Sequence, residues 1–182
     1  MSFFIKNKTE CIICHKIIGN FKDAILLPFS FLNENSNLSG YAKNYADRKC
    51  FDNWENKKEF VDGYFEVGKR MVENIDFDNI VVKDSYFTVV LQENEYCITD
   101  FYSIFEMKIN YNQAKKIYHF IQETVENKIP ELIIKNWKFK GENGEILISE
   151  LLNDLEVIDE IRIPSDRFND YVNTFQKILK TR

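Results

Sequence analysis

Histidine, proline and glycine are scarce in this chain, with two, three and six residues among 182. So few breakers and turn formers exclude a collagen-like or low-complexity chain, and a 45% hydrophobic composition is enough to bury a core. With only His15 and His119, there is no HExxH helix and no HxH pattern of the histidine-triad type. Walker loops and GxSxG elbows are also missing, so the hydrolases built on them are excluded and no catalytic residue is assigned. Carboxylates are plentiful, but the sequence singles out no pair. No apolar run reaches membrane-spanning length without a charge, and Met1-Ser2-Phe3-Phe4-Ile5-Lys6 lacks a basic n-region followed by a long apolar stretch. The expectation is a cytoplasmic protein with no membrane partner.

Charge is present in quantity and unevenly placed. The chain carries 24 basic and 29 acidic residues, a net charge of -5. Residues 1–50 hold four acidic and seven basic side chains, whereas residues 51–100 hold twelve and five. A field of this sign makes nucleic acid an unfavourable partner and a cationic protein a favourable one.

Four cysteines are present, Cys11, Cys14, Cys50 and Cys97. In a cytosolic setting they read as thiols or metal ligands before disulfides. Cys11-Ile12-Ile13-Cys14-His15 formally matches a c-type haem site, which requires export. It matches a thioredoxin-like pair by spacing alone, but Lys16-Ile17-Ile18-Gly19-Asn20 is too short for the helix such a pair caps. Two buried apolar cysteines are the plain structural alternative. A zinc knuckle is the fourth reading, and Asp47-Arg48-Lys49-Cys50 supports it. Asp47 and Cys50, three apart at the head of an amphipathic segment, would share one face of a helical turn and could complete a set with Cys11 and Cys14.

A CxxC knuckle followed by Lys-Ile, a Leu-Pro-Phe strand, a polar loop and a helix opening ligand-x-x-Cys-Phe resembles treble-clef zinc domains, in particular those at the front of small bacterial proteins. The resemblance covers the first third of the chain. It implies a structural zinc held by Cys11, Cys14, Asp47 and Cys50. Such knuckles usually read CxxCG, with histidine or cysteine as the first helical ligand. Here His15 and Asp47 stand in those places, and His15 and Cys97 are the other candidates for the fourth position.

The segment Phe51–Ile75 has helical periodicity. Trp54, Val61, Phe65, Val72 and Ile75 share one face at about 100° per residue, with Phe60, Tyr64, Val67 and Met71 extending it. Asp52, Glu55, Glu59, Asp62, Glu66 and Glu73 fall on the opposing arc as an acidic stripe. A solvated face is its ordinary meaning, and a docking surface for a basic partner, centred on Asp52, Glu55, Glu59, Asp62 and Glu66, is its functional one.

From residue 76 the pattern turns to β. Strands are expected at Ala24–Leu32, Ile80–Val82, Tyr86–Leu91, Tyr96–Ile98, Ile104–Ile109, Leu132–Lys140, Ile146–Ile148 and Leu155–Ile163, with Asn143-Gly144 as the strongest hairpin signal. Residues 111–128 read as a helix with Ala114, Ile117, Tyr118, Ile121 and Val125 on one side. The helix after Pro164 buries Phe168, Tyr171, Val172, Phe175 and Leu179. Cys97 reads as a buried strand residue and His119 as a surface one. Glu95–Thr99 corresponds to Glu145–Ser149, and the helix around Tyr118 to that around Tyr171, which suggests a duplicated strand-strand-helix unit.

The fold expectation is α+β. A treble-clef-like zinc lobe and long helix (residues 1–75) precede an antiparallel sheet with helices on one side (76–182), packed as one compact domain. The functional expectation is a non-enzymatic binding protein of bacterial immunity or adaptor type, presenting an acidic, aromatic-rich surface to a basic protein such as a toxin. The alternative is a zinc-dependent nucleic-acid-binding regulator using Lys6, Lys8, Lys16, Lys22, Arg48 and Lys49.

Overall fold

The computed structural model describes residues 4–28, 37–73, 79–152 and 156–181. The class is α+β, and among the described residues there are four α-helices and three antiparallel sheets. The chain divides into two compact units, Met1–Met71 and Val72–Arg182.

The first unit begins with a tight hairpin closed by a bridge between Glu10 and Ile17. A two-stranded sheet follows, β1 (Ala24–Leu26) against β2 (Tyr45–Asp47), with Ala24 opposite Asp47. The strand expected over Ala24–Leu32 ends at Leu26, before Pro28, and its remainder from residue 29 lies outside the described residues. Asp47 then caps α1 (Arg48–Asp52), and α2 (Lys57–Glu73) completes the series.

The single helix expected from Phe51 to Ile75 is therefore broken. Asn53 ends α1 by turning its side-chain amide back onto the Lys49 carbonyl, 2.8 Å away. This is the local competition with helix continuation that asparagine offers. Aromatic packing fixes the break. Phe51 and Phe60 meet edge to face at 6.2 Å between ring centres, while Trp54 lies 5.8 Å from Phe60 and 4.6 Å from Tyr41. Phe60, Val61 and Val72 are buried as the wheel predicts, but Met71 is 64% exposed and Ile75 lies outside the described residues.

The second unit is two runs of four antiparallel strands, each followed by a helix. The first is β3 (Ile80–Asp84), β4 (Phe87–Gln92), β5 (Glu95–Asp100), β6 (Phe105–Asn110) and α3 (Tyr111–Val125). The second is β7 (Glu131–Ile134), β8 (Trp137–Glu142), β9 (Glu145–Leu152), β10 (Glu156–Ile163) and α4 (Phe168–Leu179). Both sheets are plain meanders in chain order. The single sheet expected there is thus two, and Leu132–Lys140 is not one strand but the β7–β8 hairpin.

The central hairpins of the two runs repeat at an interval of fifty residues. Phe101 N–H donates to the Tyr86 carbonyl at 2.9 Å, and Leu151 N–H donates to the Asn136 carbonyl at 2.7 Å. Left-handed φ values recur at Ser85 (51°) and Lys135 (51°), and at Glu93 (57°) and Asn143 (51°). The β8–β9 turn falls on Asn143-Gly144, where Gly144 has φ of 77°, the backbone a two-residue hairpin of this hand requires. The repeating element is thus longer than strand-strand-helix.

Strict alternation makes β5, β6 and β8 one-sided, whereas β4 is buried at four consecutive positions. In β6, Phe105, Met107 and Ile109 point inward while Glu106, Lys108 and Asn110 face solvent. Inward residues of both sheets share one core with Ile117, Phe120 and Ile121 of α3 and Phe168, Tyr171, Phe175 and Ile178 of α4. Two details of the helix faces depart from expectation. Phe120 and Thr124 are buried where Val125 was expected and is exposed, and Ile178 takes the place of Leu179. Asn110 and Gln113 form a reciprocal capping box that fixes where α3 starts.

Candidate metal centre

The knuckle is built by backbone bonds between its two arms. Cys11 N–H donates to the Lys16 carbonyl at 2.8 Å, Ile18 N–H to the Thr9 carbonyl at 2.9 Å, and His15 N–H to the Cys11 carbonyl at 2.8 Å. Closing so tight a turn needs a left-handed residue, and His15 supplies it with φ of 59°. That is the place where a glycine is the less strained choice. His15 itself is exposed.

This turn brings Cys11 and Cys14 to the head of α1. The sulfur atoms of Cys11, Cys14 and Cys50 all lie within 4.8 Å of one another. Cys14 Sγ and Cys50 Sγ are 3.3 Å apart. That is well beyond the roughly 2.0 Å of a disulfide. It is somewhat short of the about 3.8 Å edge of a tetrahedron of thiolates around zinc at about 2.3 Å. All four cysteines are free thiols. Cys11 is wholly buried, while Cys14 and Cys50 are partly exposed.

Electrostatics acts in opposite directions on Cys14 and Cys50. The Lys16 backbone N–H, then the Cys50 thiol, hold the Cys14 thiol below its ordinary value. Burial, then hydrogen bonding to Cys14 and the charge of Cys11, push Cys50 up to about 12. The pair therefore keeps a proton that a cation must displace. Three soft donors, converging from a knuckle and a helix start and partly satisfied by N–H···S bonds, fit a thiophilic divalent ion such as zinc.

Asp47 is tied at both ends. Its Oδ1 accepts from Cys50 N–H at 3.1 Å, and its own N–H donates to Cys11 Sγ at 3.2 Å. Its carboxylate oxygens are not among the mutually close ligand atoms, and neither is the His15 ring. Cys97 lies on β5 in the second unit, half-buried, with its thiol donating to Gln92 Oε1 at 3.3 Å; it is not the fully buried residue that the sequence suggests.

The acidic arc is largely neutralised. Asp52 pairs with Lys57 at 2.9 Å, Asp62 with Lys58 at 2.7 Å, Glu66 with Lys69 and Glu73 with Lys83. Glu55, in the break before α2, and Glu59, in its first turn, are exposed.

Sequence reasoning missed a second polar cluster entirely. Asp100, with no exposed surface, accepts from Tyr102 N–H at 2.9 Å, Ser103 N–H at 3.3 Å and the Tyr171 hydroxyl at 2.5 Å. Arg167 Nη2 stands 3.4 Å from it, and Arg167 Nε is 2.9 Å from Asp170. The guanidinium lies 4.5 Å from the Tyr102 ring centre and 5.4 Å from that of Phe87. Burial works against the charge on Arg167, but Asp100 and Tyr171 outweigh it, so its pKa stands above the ordinary value. Burial and the Asp100 carboxylate raise Tyr171 well above its own. The one signal available was a charged residue ending a strand whose alternation points it inward.

No helix among the described residues is long and apolar enough to cross a membrane. Comparison with protein families, curated proteins and solved structures found no match.

Proposed function

We propose that this is a non-enzymatic binding protein whose N-terminal lobe is a treble-clef-like module organised by one structural zinc ion on Cys11, Cys14 and Cys50. The observation that carries it is the convergence of three thiols from two chain segments 36 residues apart on positions within 4.8 Å. The order of knuckle, short hairpin and helix supports the same reading, as does the left-handed His15. Bound there, zinc would cross-link the knuckle to α1 and so order the short elements between them.

The partner of this reading is a basic protein, such as a toxin met by a bacterial immunity or adaptor protein. Glu55 and Glu59 are the carboxylates of the arc best placed to meet it, since Asp52, Asp62 and Glu66 already hold lysines. A nucleic-acid-binding regulator is the second reading. It is favoured by Lys6, Lys8, Lys16, Lys22 and Lys49, all exposed on the knuckle lobe.

Metal analysis of purified protein tests the core of the proposal. About one zinc per chain is expected, lost together with zinc-dependent thermal stabilisation when Cys11, Cys14 or Cys50 is changed to serine. A wild-type protein without metal, and with a melting temperature indifferent to added zinc, defeats it. For the partner, binding to an RNA or DNA probe with a steep salt dependence would favour the second reading over the first.

A further inference from the structure

We propose that Cys14 and Cys50 form a covalent modification site, which a peroxide closes into a disulfide between the knuckle and α1 while Cys11 stays a thiol.

The two sulfurs stand 3.3 Å apart on segments 36 positions apart in sequence. A disulfide is roughly 2.0 Å long, so bond formation asks for a displacement of about 1.3 Å shared between two side chains. The backbone is held on both sides. Cys14 lies in the turn closed by Cys11 N–H on the Lys16 carbonyl and His15 N–H on the Cys11 carbonyl, each at 2.8 Å. Cys50 lies in the first turn of α1, where its N–H donates to Asp47 Oδ1 at 3.1 Å. Two thiols fixed this close react with each other far faster than with any thiol in dilute solution.

Accessibility selects the pair. CxxC spacing alone would join Cys11 to Cys14. Cys11 is wholly buried, however, and its sulfur already accepts the Asp47 N–H at 3.2 Å. Cys14 and Cys50 are partly exposed, so a small oxidant arriving from solvent meets them first. The disulfide needs no metal and stands apart from the metal reading; where an ion is bound, bond and ion compete for the same two sulfurs.

One of the two, as thiolate, attacks a peroxide oxygen. The O–O bond breaks, a sulfenic acid forms, and the released hydroxide takes up a proton to become water. The neighbouring sulfur then attacks the sulfenic sulfur. The S–O bond breaks, the S–S bond forms, and the hydroxyl leaves with the remaining thiol proton as a second water. The two thiols together lose two electrons and two protons, and one hydrogen peroxide gains them.

The full chain, reduced with a phosphine and stripped of metal with a chelator, is treated with stoichiometric hydrogen peroxide, alkylated and cut with trypsin for mass spectrometry. Free thiols should fall from four to two, and a second reduction should restore all four. Cys11 and Cys14 share the tryptic peptide Thr9–Lys16, which should appear joined to Cys50–Lys57 with the alkyl label on Cys11. Cys11→Ser should form the same bond. Four thiols surviving the peroxide, a label on Cys14 in place of Cys11, or a bond from Cys11 to Cys14 or to Cys97 overturns the proposal. A bond formed by protein that takes up no zinc upholds this inference and defeats the metal reading; zinc uptake with no bond after the metal is stripped does the reverse.

Discussion

The strands of the N-terminal unit are three residues each, and its knuckle is closed by one bridge. Those of the C-terminal unit run from four to eight residues and close two complete four-stranded meanders over one apolar core. Each unit also sets an aspartate to work on backbone N–H groups. Asp47 caps a five-residue helix and lines up two thiols. Asp100 accepts two backbone N–H bonds at the end of β5 and holds Arg167 and Tyr171 from the second run. The difference teaches where order comes from. Strands this short bury little by themselves, and the first unit adds polar contacts and a cluster of three thiols that could hold a metal ion. The second buries a charge, Arg167, against two carboxylates and the faces of Tyr102 and Phe87, although its Nη1 is left without a hydrogen-bond partner among the described residues.

Three changes probe that contrast. Asp100→Ala has the largest expected effect within the second unit. It leaves the Arg167 charge 93% buried with Asp170 as its remaining carboxylate among the described residues and strips the Tyr171 hydroxyl of its Asp100 acceptor. A loss of about 3–5 kcal/mol is expected in denaturant unfolding; a loss within 0.5 kcal/mol or so would mean that solvent reaches the cluster.

Gly141→Ala comes next. A Cβ there would lie 2.9 Å from Pro130 Cδ and 3.1 Å from Thr124 Oγ1, where β8 passes the end of α3. Neither neighbour is a flexible side-chain end, so overpacking should cost about 1–3 kcal/mol. The same substitution at Gly40, which has open space around it, should cost far less.

The smallest effect belongs to the first unit and depends on pH. In metal-free protein the Cys50 thiol is held up at about 12 against an ordinary 9.0. The native state keeps a proton that the unfolded chain releases, so this contribution is full below about pH 9 and is lost as pH rises from there towards about 12. Thermal melts across this range should show a decline that Cys50→Ser removes and bound zinc abolishes. An identical decline in the serine variant would assign it to other groups.

Much of the framework was legible locally. The α+β class follows from period-two alternation in segments such as Phe105–Asn110 and from the helical spacing of Ala114, Ile117 and Ile121. Asn143-Gly144 marks its own turn because few other dipeptides accept two left-handed residues. The misreadings have physical causes. A helical wheel treats Phe51 to Ile75 as continuous because it ignores the competition from Asn53's side chain. It places Val125 inward because it does not know that α3 is covered on the side of Phe120 and Thr124. Opposite charges at helical spacings were visible, yet that Lys57, Lys58 and Lys69 reach Asp52, Asp62 and Glu66 is a matter of rotamers.

The CxxC spacing by itself kept Cys11 and Cys14 close enough to act together, because only two residues separate them. The alternation of apolar and polar residues determined which face of β5, β6 and β8 is buried, since side chains in extended chain must point to opposite sides. Only the tertiary structure decided that Cys50 joins the first two cysteines, and that Asp47 turns its carboxylate to the backbone. It likewise decided that Asp100 meets Arg167, 67 residues away. Contacts of that range depend on how whole elements pack, and no local pattern encodes the partner that a buried thiol or charge will find.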